Sequence, residues 1–207
     1  MKILYEDKNV VVVVKPPEIL SQFSETEENA VTILKEMTGS EIFVISRLDR
    51  NVGGVMVFAK NQKSAADLTR QMQTGDFKKE YIAAVYGCPE EDKGVYEDLL
   101  FKDSRKNKSF VVKKERKGVK KASLDYEVLE KRDNISIVKI HLHTGRTHQI
   151  RVQFSSRRMP LVGDGKYGAK DNEKNIGLFC REISFINPAT KEKMTFSEQS
   201  ENLCFGK

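Results

Sequence analysis

The stretch Glu41–Ala59, EIFVISRLDRNVGGVMVFA, carries two apolar runs separated by a polar knot. Glu41 to Ser46 and Gly54 to Ala59 are rich in β-branched and aromatic side chains and read as strands. Between them, Arg47-Leu48-Asp49-Arg50-Asn51-Val52-Gly53 reads as a tight connection. Toward the C-terminus, Ala65, Leu68 and Met72 mark an amphipathic helix ending near Gly75. Toward the N-terminus, Asn29 to Thr38 shows helical spacing through Ala30, Ile33, Leu34 and Met37, with Asn29 as N-cap and Gly39 as C-cap. Ile3 to Lys15 reads as one or two short strands, its valine run buried on both faces, and Pro16-Pro17 stops it. Tyr81 to Tyr86, Ser123 to Leu129 and Ile135 to His143 are further strands, the last alternating apolar and polar residues. After Gly145 the period becomes helical: Ile150 and Phe154 share a stripe, Thr147 sits at the N-cap position, and His148 and Arg151 fall on a neighbouring face. Strands not regularly interleaved with helices predict an α+β domain with a mixed or mostly antiparallel sheet, a single domain over residues 1–207.

The bulk numbers exclude several classes. The longest apolar run, Val10 to Val14, is far too short to span a bilayer, and its flanks (Glu6, Asp7, Lys15-Pro16-Pro17) do not resemble a signal peptide. Cys88, Cys180 and Cys204 are an odd number without a C-x-x-C pair and read as reduced thiols of a cytoplasmic protein. The net charge of +6 is unevenly spread. From Lys102 to Lys121 ten Lys or Arg stand against Asp103 and Glu115, a local charge of +8 that leaves −2 for the rest. A basic segment on a near-neutral body fits a polyphosphate partner, and the charge alone fits a solvated lysine-rich loop equally well.

Two motifs dissolve on inspection. Gly163-Asp164-Gly165-Lys166-Tyr167-Gly168 matches G-x-G-x-x-G literally, but no firm strand precedes it and the polar run Ala169 to Lys174 follows. It reads as a structured turn, and no nucleotide cofactor is expected. His141, His143 and His148 invite a metal reading, yet no carboxylate or cysteine at ligand spacing joins them, so no metal is expected either. Asp49 is different in kind. Flanked by Arg47 and Arg50 in a turn between apolar strands, its ionised form is favoured and aimed out of the sheet. On its own, R-L-D-R leaves a plain surface ion pair open.

Four segments in order resemble the RluA-type pseudouridine synthase family. They are Ile3-Leu4-Tyr5-Glu6-Asp7 through Val13-Val14-Lys15-Pro16, Arg47 through Lys60, Lys79-Glu80-Tyr81 with the strand after it, and Thr144 to Val152. Pro160 to Gly168 and Gly118 to Val128 continue the pattern, so the resemblance covers nearly the whole chain. It departs at Ser46, where the family has His, at Asn51-Val52-Gly53 within the aspartate motif, and at Leu178-Phe179-Cys180 in place of Leu-His-Ala. By resemblance the chain is expected to be one of the family's shorter members, without an S4 domain.

The resemblance implies a curved sheet with flanking helices around a central cleft, and isomerisation of uridine to pseudouridine in rRNA or tRNA. That reaction breaks the bond from N1 to C1′, rotates the uracil and joins C5 to C1′. No electrons, phosphates or acyl groups are exchanged, so no cofactor is required. By resemblance Asp49 either attacks C1′ or removes a proton from the sugar, Arg151 pairs with Asp49, and Tyr81 faces the uracil. Arg47 fills the gap left by a flipped nucleotide. Arg50, Arg146, His148, Gln149 and Leu178 belong to the substrate side, and Lys113, Lys114 and Lys120 track the RNA backbone. The implied enzyme acts as a monomer on RNA, away from membranes. An RNA-binding relative that has lost the reaction, or a carboxylate hydrolase acting on nucleosides, stays open at this point.

Overall fold

The computed structural model describes residues 1–200. In chain order its elements are β1 (Lys2–Glu6), β2 (Val10–Lys15), α1 (Ala30–Thr38), β3 (Phe43–Val44), β4 (Gly53–Ala59), α2 (Gln62–Thr74), β5 (Lys78–Tyr86), β6 (Lys93–Asp103), β7 (Lys108–Val112), β8 (Val119–Arg132), β9 (Ile135–Leu142), α3 (Gln149–Ser156), β10 (Leu178–Ile186) and β11 (Lys193–Ser197). They fall into two compact units. The first is Met1–Glu80 together with the chain from Phe179 onward, and the second is Tyr81–Leu178.

In the first unit β2 lies antiparallel between β1 and β4, and β10 joins β4 in parallel through Phe179 and Cys180. β11 closes antiparallel on β10, so the sheet is mixed as expected. Val10 to Val13 and Met56 to Ala59 are almost completely buried, which accounts for the unbroken valine run. The two helices begin and end on local chemistry. Asn29 accepts from Thr32 N and Gly39 ends α1 in the left-handed region, while Asn61 and Gly75 do the same for α2. Each side-chain cap contributes about 1 kcal/mol. The expected strand over Glu41 to Ser46 shrinks to two residues, because the chain leaves β4 to bond elsewhere. Leu48 N donates to the Ser21 hydroxyl at 3.0 Å, and that hydroxyl donates to Leu48 O at 2.8 Å.

The second unit carries strands in the order β5-β9-β8-β6-β7, with β9, β8, β6 and β7 pairing antiparallel in turn. The basic segment from Lys102 to Lys121 is the tip of β6, all of β7 and the start of β8. Its strands are charge-dense and escape a hydrophobic reading. A bulge between Val128 and Glu130 leaves Leu129 exposed. Six of the eight α3 residues are buried, far more than the Ile150–Phe154 stripe suggests, and Phe154 packs edge-on against Tyr96 and Tyr126. The N-cap of α3 is His148 in the left-handed region, φ 53°, rather than Thr147. No side chain caps α3, and the Gln149 side-chain oxygen instead ties down the approach to it by accepting from Arg146 N at 3.0 Å. The Gly163–Gly168 stretch folds as a single 3-10 turn over Gly165–Tyr167. No helix among the described residues is long and apolar enough to cross a membrane.

Candidate active site

On the first unit the turn that carries Asp49 is anchored on both sides. Leu48 and Val52 are buried, Val52 N donates to Asp49 O at 3.0 Å, and the Ser21 hydroxyl holds both backbone polar groups of Leu48. Asp49 itself is half-buried. Beneath the turn lies Lys15, fully buried at the end of β2. Its ammonium donates to Pro16 O at 2.7 Å and Ile19 O at 2.8 Å, with Arg50 O at 3.4 Å. Burial pulls the Lys15 ammonium down to about 8, with the Asp49 charge acting the other way. The chain has thus put a cation under the carboxylate by tying it to backbone carbonyls. A lysine closing an all-valine strand is the sequence signal for it.

The two arginines beside Asp49 differ. Arg47 is exposed, and its guanidinium donates to Gln22 Oε1 at 2.9 Å. Arg50 turns back onto its own unit, 2.5 Å from Glu27 Oε2 and donating to Glu18 O at 3.2 Å. Glycine is required at position 54, where φ is +140° and a Cβ would stand 2.5 Å from Cys180 N and 2.6 Å from Cys180 O.

On the second unit Tyr81 is buried in β5. Arg151, in the middle of α3, makes a two-pronged bond to Asp164, with Nε to Oδ2 at 2.7 Å and Nη2 to Oδ1 at 2.8 Å. Both side chains are buried, and the guanidinium lies 5.1 Å from the centre of the Tyr167 ring. The Tyr167 hydroxyl accepts from Ser109 N at 2.8 Å and lies 3.0 Å from His148 Nδ1. The false dinucleotide motif therefore supplies Asp164 and Tyr167, which hold Arg151 and tie it to β7. Neither role was visible in the sequence.

The other expected residues are distributed plainly. Gln149 is buried, its amide engaged by Thr144, Arg146 N and Ser123 O. Arg146 Nε donates to Lys121 O at 2.8 Å. Leu178 is buried, and Lys113, Lys114 and Lys120 are exposed. The carboxylate that sequence spacing did not offer to His141 and His143 comes across the sheet from Asp125, at 3.1 and 2.6 Å. Among the described residues no group of three ligand side chains is arranged as a metal centre. Of the cysteines, Cys88 is exposed, Cys180 is buried and Cys204 lies outside the described residues.

Residues 9–156 match the RNA pseudouridylate synthase family. The chain belongs to that family. An uncharacterized RNA pseudouridine synthase of Mycoplasma pneumoniae is 32% identical over 217 residues, covering 98% of this chain and 70% of that protein. The dual-specificity RNA pseudouridine synthase RluA of Yersinia pestis is 30% identical over 207 residues, covering 97% of this chain and all of the relative. In structure, human RNA Pseudouridylate Synthase Domain Containing 4 superposes with a TM-score of 0.78 at 24% identity, over 98% of this chain and 90% of that one, a likeness of fold. The synthase thus converts uridine in RNA to pseudouridine, an isomerisation. The family match spans the Asp49 turn, Tyr81 and Arg151 alike.

Proposed function

We propose that Asp49 is the residue of this synthase that acts at C1′ of an everted uridine in rRNA or tRNA. The observation that carries the reading is the mounting of Asp49, a half-buried carboxylate in a turn pinned by Ser21, with the buried Lys15 ammonium beneath it. The chemistry needs an ionised, aimed carboxylate facing an electron-poor sugar carbon. As the N1–C1′ bond breaks, electrons return to the uracil ring. The ring turns, C5 joins C1′, the C5 proton leaves and N1 takes up a proton. Atoms and electrons balance without a cofactor.

Tyr81 offers the uracil a flat face and a hydroxyl for the departing C5 proton. Arg151, its guanidinium oriented by Asp164, supplies the cation that favours the ionised form of Asp49 once the substrate is bound. The target must leave its stack to be reached, and the exposed Arg47 guanidinium suits the gap left behind. Lys113, Lys114 and Lys120 run along the RNA backbone. We propose that the synthase acts as a monomer, and an rRNA or tRNA substrate implies work in the cytoplasm.

RNA carrying tritium at C5 of its uridines tests the reading. Release of tritium to water with no free uracil is expected for rRNA or tRNA. Free uracil would mean a hydrolase, and bound RNA without release would mean a binding module.

A further inference from the structure

Surface apolar residues scattered singly are ordinary, and Met37, Met72, Val95 and Leu129 belong with them. Phe23 does not. Among the described residues it is the most exposed large hydrophobic, 61% accessible, and the two residues before it, Ser21 and Gln22, are bonded to the Asp49 turn. Ser21 is bonded both ways to Leu48, and Gln22 to Arg47, so the two segments run side by side in opposite directions. Phe23 follows Gln22 directly in the chain.

The far side of Phe23 is held as well. Ser24 O accepts from Asn29 Nδ2 at 2.9 Å, and the Ser24 hydroxyl accepts from Glu27 N at 3.2 Å. Ala30 N closes the loop on Leu20 O at 2.8 Å. An aromatic ring is therefore held in water between two anchors, where a folded chain gains nothing from it. An exposed ring on an anchored backbone, next in the chain to the glutamine that holds an exposed arginine, is the material of a stacking platform for unpaired bases.

We infer that Phe23 is a base-stacking residue for the RNA, receiving the face of a nucleotide next to the target uridine. Gln22 holds Arg47 alongside it, so the pair presents one aromatic and one guanidinium plane. The inference rests on the synthase acting at Asp49, and stacking makes it tolerant of base identity. Phe23 is an affinity residue and takes no part in bond making.

Steady-state kinetics on substrate RNA tests it. Phe23→Ala is expected to raise KM about 5- to 100-fold, the scale of one lost base stack, with kcat within about twofold. Phe23→Tyr should restore KM, and Phe23→Leu, which keeps apolar area without a π face, should not. The natural chain has no tryptophan, so Phe23→Trp installs a single reporter whose fluorescence should be quenched as RNA binds. An unchanged KM in Phe23→Ala, a Leu variant as good as Tyr, or an unquenched tryptophan would each overturn the inference. Those failures with wild-type turnover intact would remove Phe23 alone, whereas no uridine isomerisation by the wild type would remove the reading beneath it.

Discussion

Replacing Lys15 by Met separates two opposing effects at the base of the Asp49 turn. The charged ammonium is disfavoured by burial, and the fall from 10.5 to about 8 corresponds to roughly 3 kcal/mol. Against this, Met withdraws the donor from Pro16 O and Ile19 O, while Arg50 O keeps Glu18 N at 2.8 Å. Two hydrogen bonds to a charged group are worth about 3–6 kcal/mol together. At pH 7 the two effects nearly offset, and Lys15→Met is expected to lose only about 0–3 kcal/mol. The pH dependence is sharper. Between about 8 and 10.5 the unfolded lysine holds its proton and the folded one does not, so wild-type stability rises with pH through that window. The variant has no such group. Its deficit should therefore widen by about 2.5 kcal/mol between pH 7 and pH 10, because the neutral amine still donates to both carbonyls. Urea unfolding of both proteins at pH 7, 8, 9 and 10 measures it. Parallel curves across that range would refute a buried, depressed Lys15.

Asp164→Ala breaks the buried two-pronged Arg151–Asp164 pair, and about 3–5 kcal/mol of stability should go, read from denaturant midpoints. Gly54→Ala drives a methyl into the backbone of Cys180 at a strained φ, so a loss of at least about 2 kcal/mol is expected, and a neutral effect would mean β10 does not approach β4 so closely. Changing Lys113, Lys114 and Lys120 together to Gln should lower the slope of log affinity for RNA against log salt by about 2–3, measured by titration at several salt concentrations, while kcat stays near wild type.

Features set by near neighbours were legible in the sequence. Asn29 and Gly39 bound α1 as their residue types require, and the valine strand is buried as its composition demands. The Asp49 turn was found because its pattern is local and its family resemblance long. What stayed hidden depends on partners far along the chain. Leu48 leaves the strand for a hydroxyl at Ser21, Lys15 reaches the carbonyl of Arg50, and Arg151 takes a carboxylate from a glycine-rich turn. Thr147 looked like the α3 cap because threonine caps well, but a histidine held in the left-handed region by Tyr167 has no sequence signature. β6 and β7 carry so many charges that only their pairing with each other and with β8 identifies them as strands.

The most direct measurement is single turnover of C5-tritiated substrate RNA by Asp49→Asn, with RNA affinity measured on the same protein. The amide is nearly the size of the carboxylate but can neither attack C1′ nor take a proton from the sugar. Tritium release is expected to vanish into the background while the Kd for RNA stays within about threefold of wild type. Release at a rate near that of the wild type would contradict a carboxylate at position 49 as the group that works on C1′.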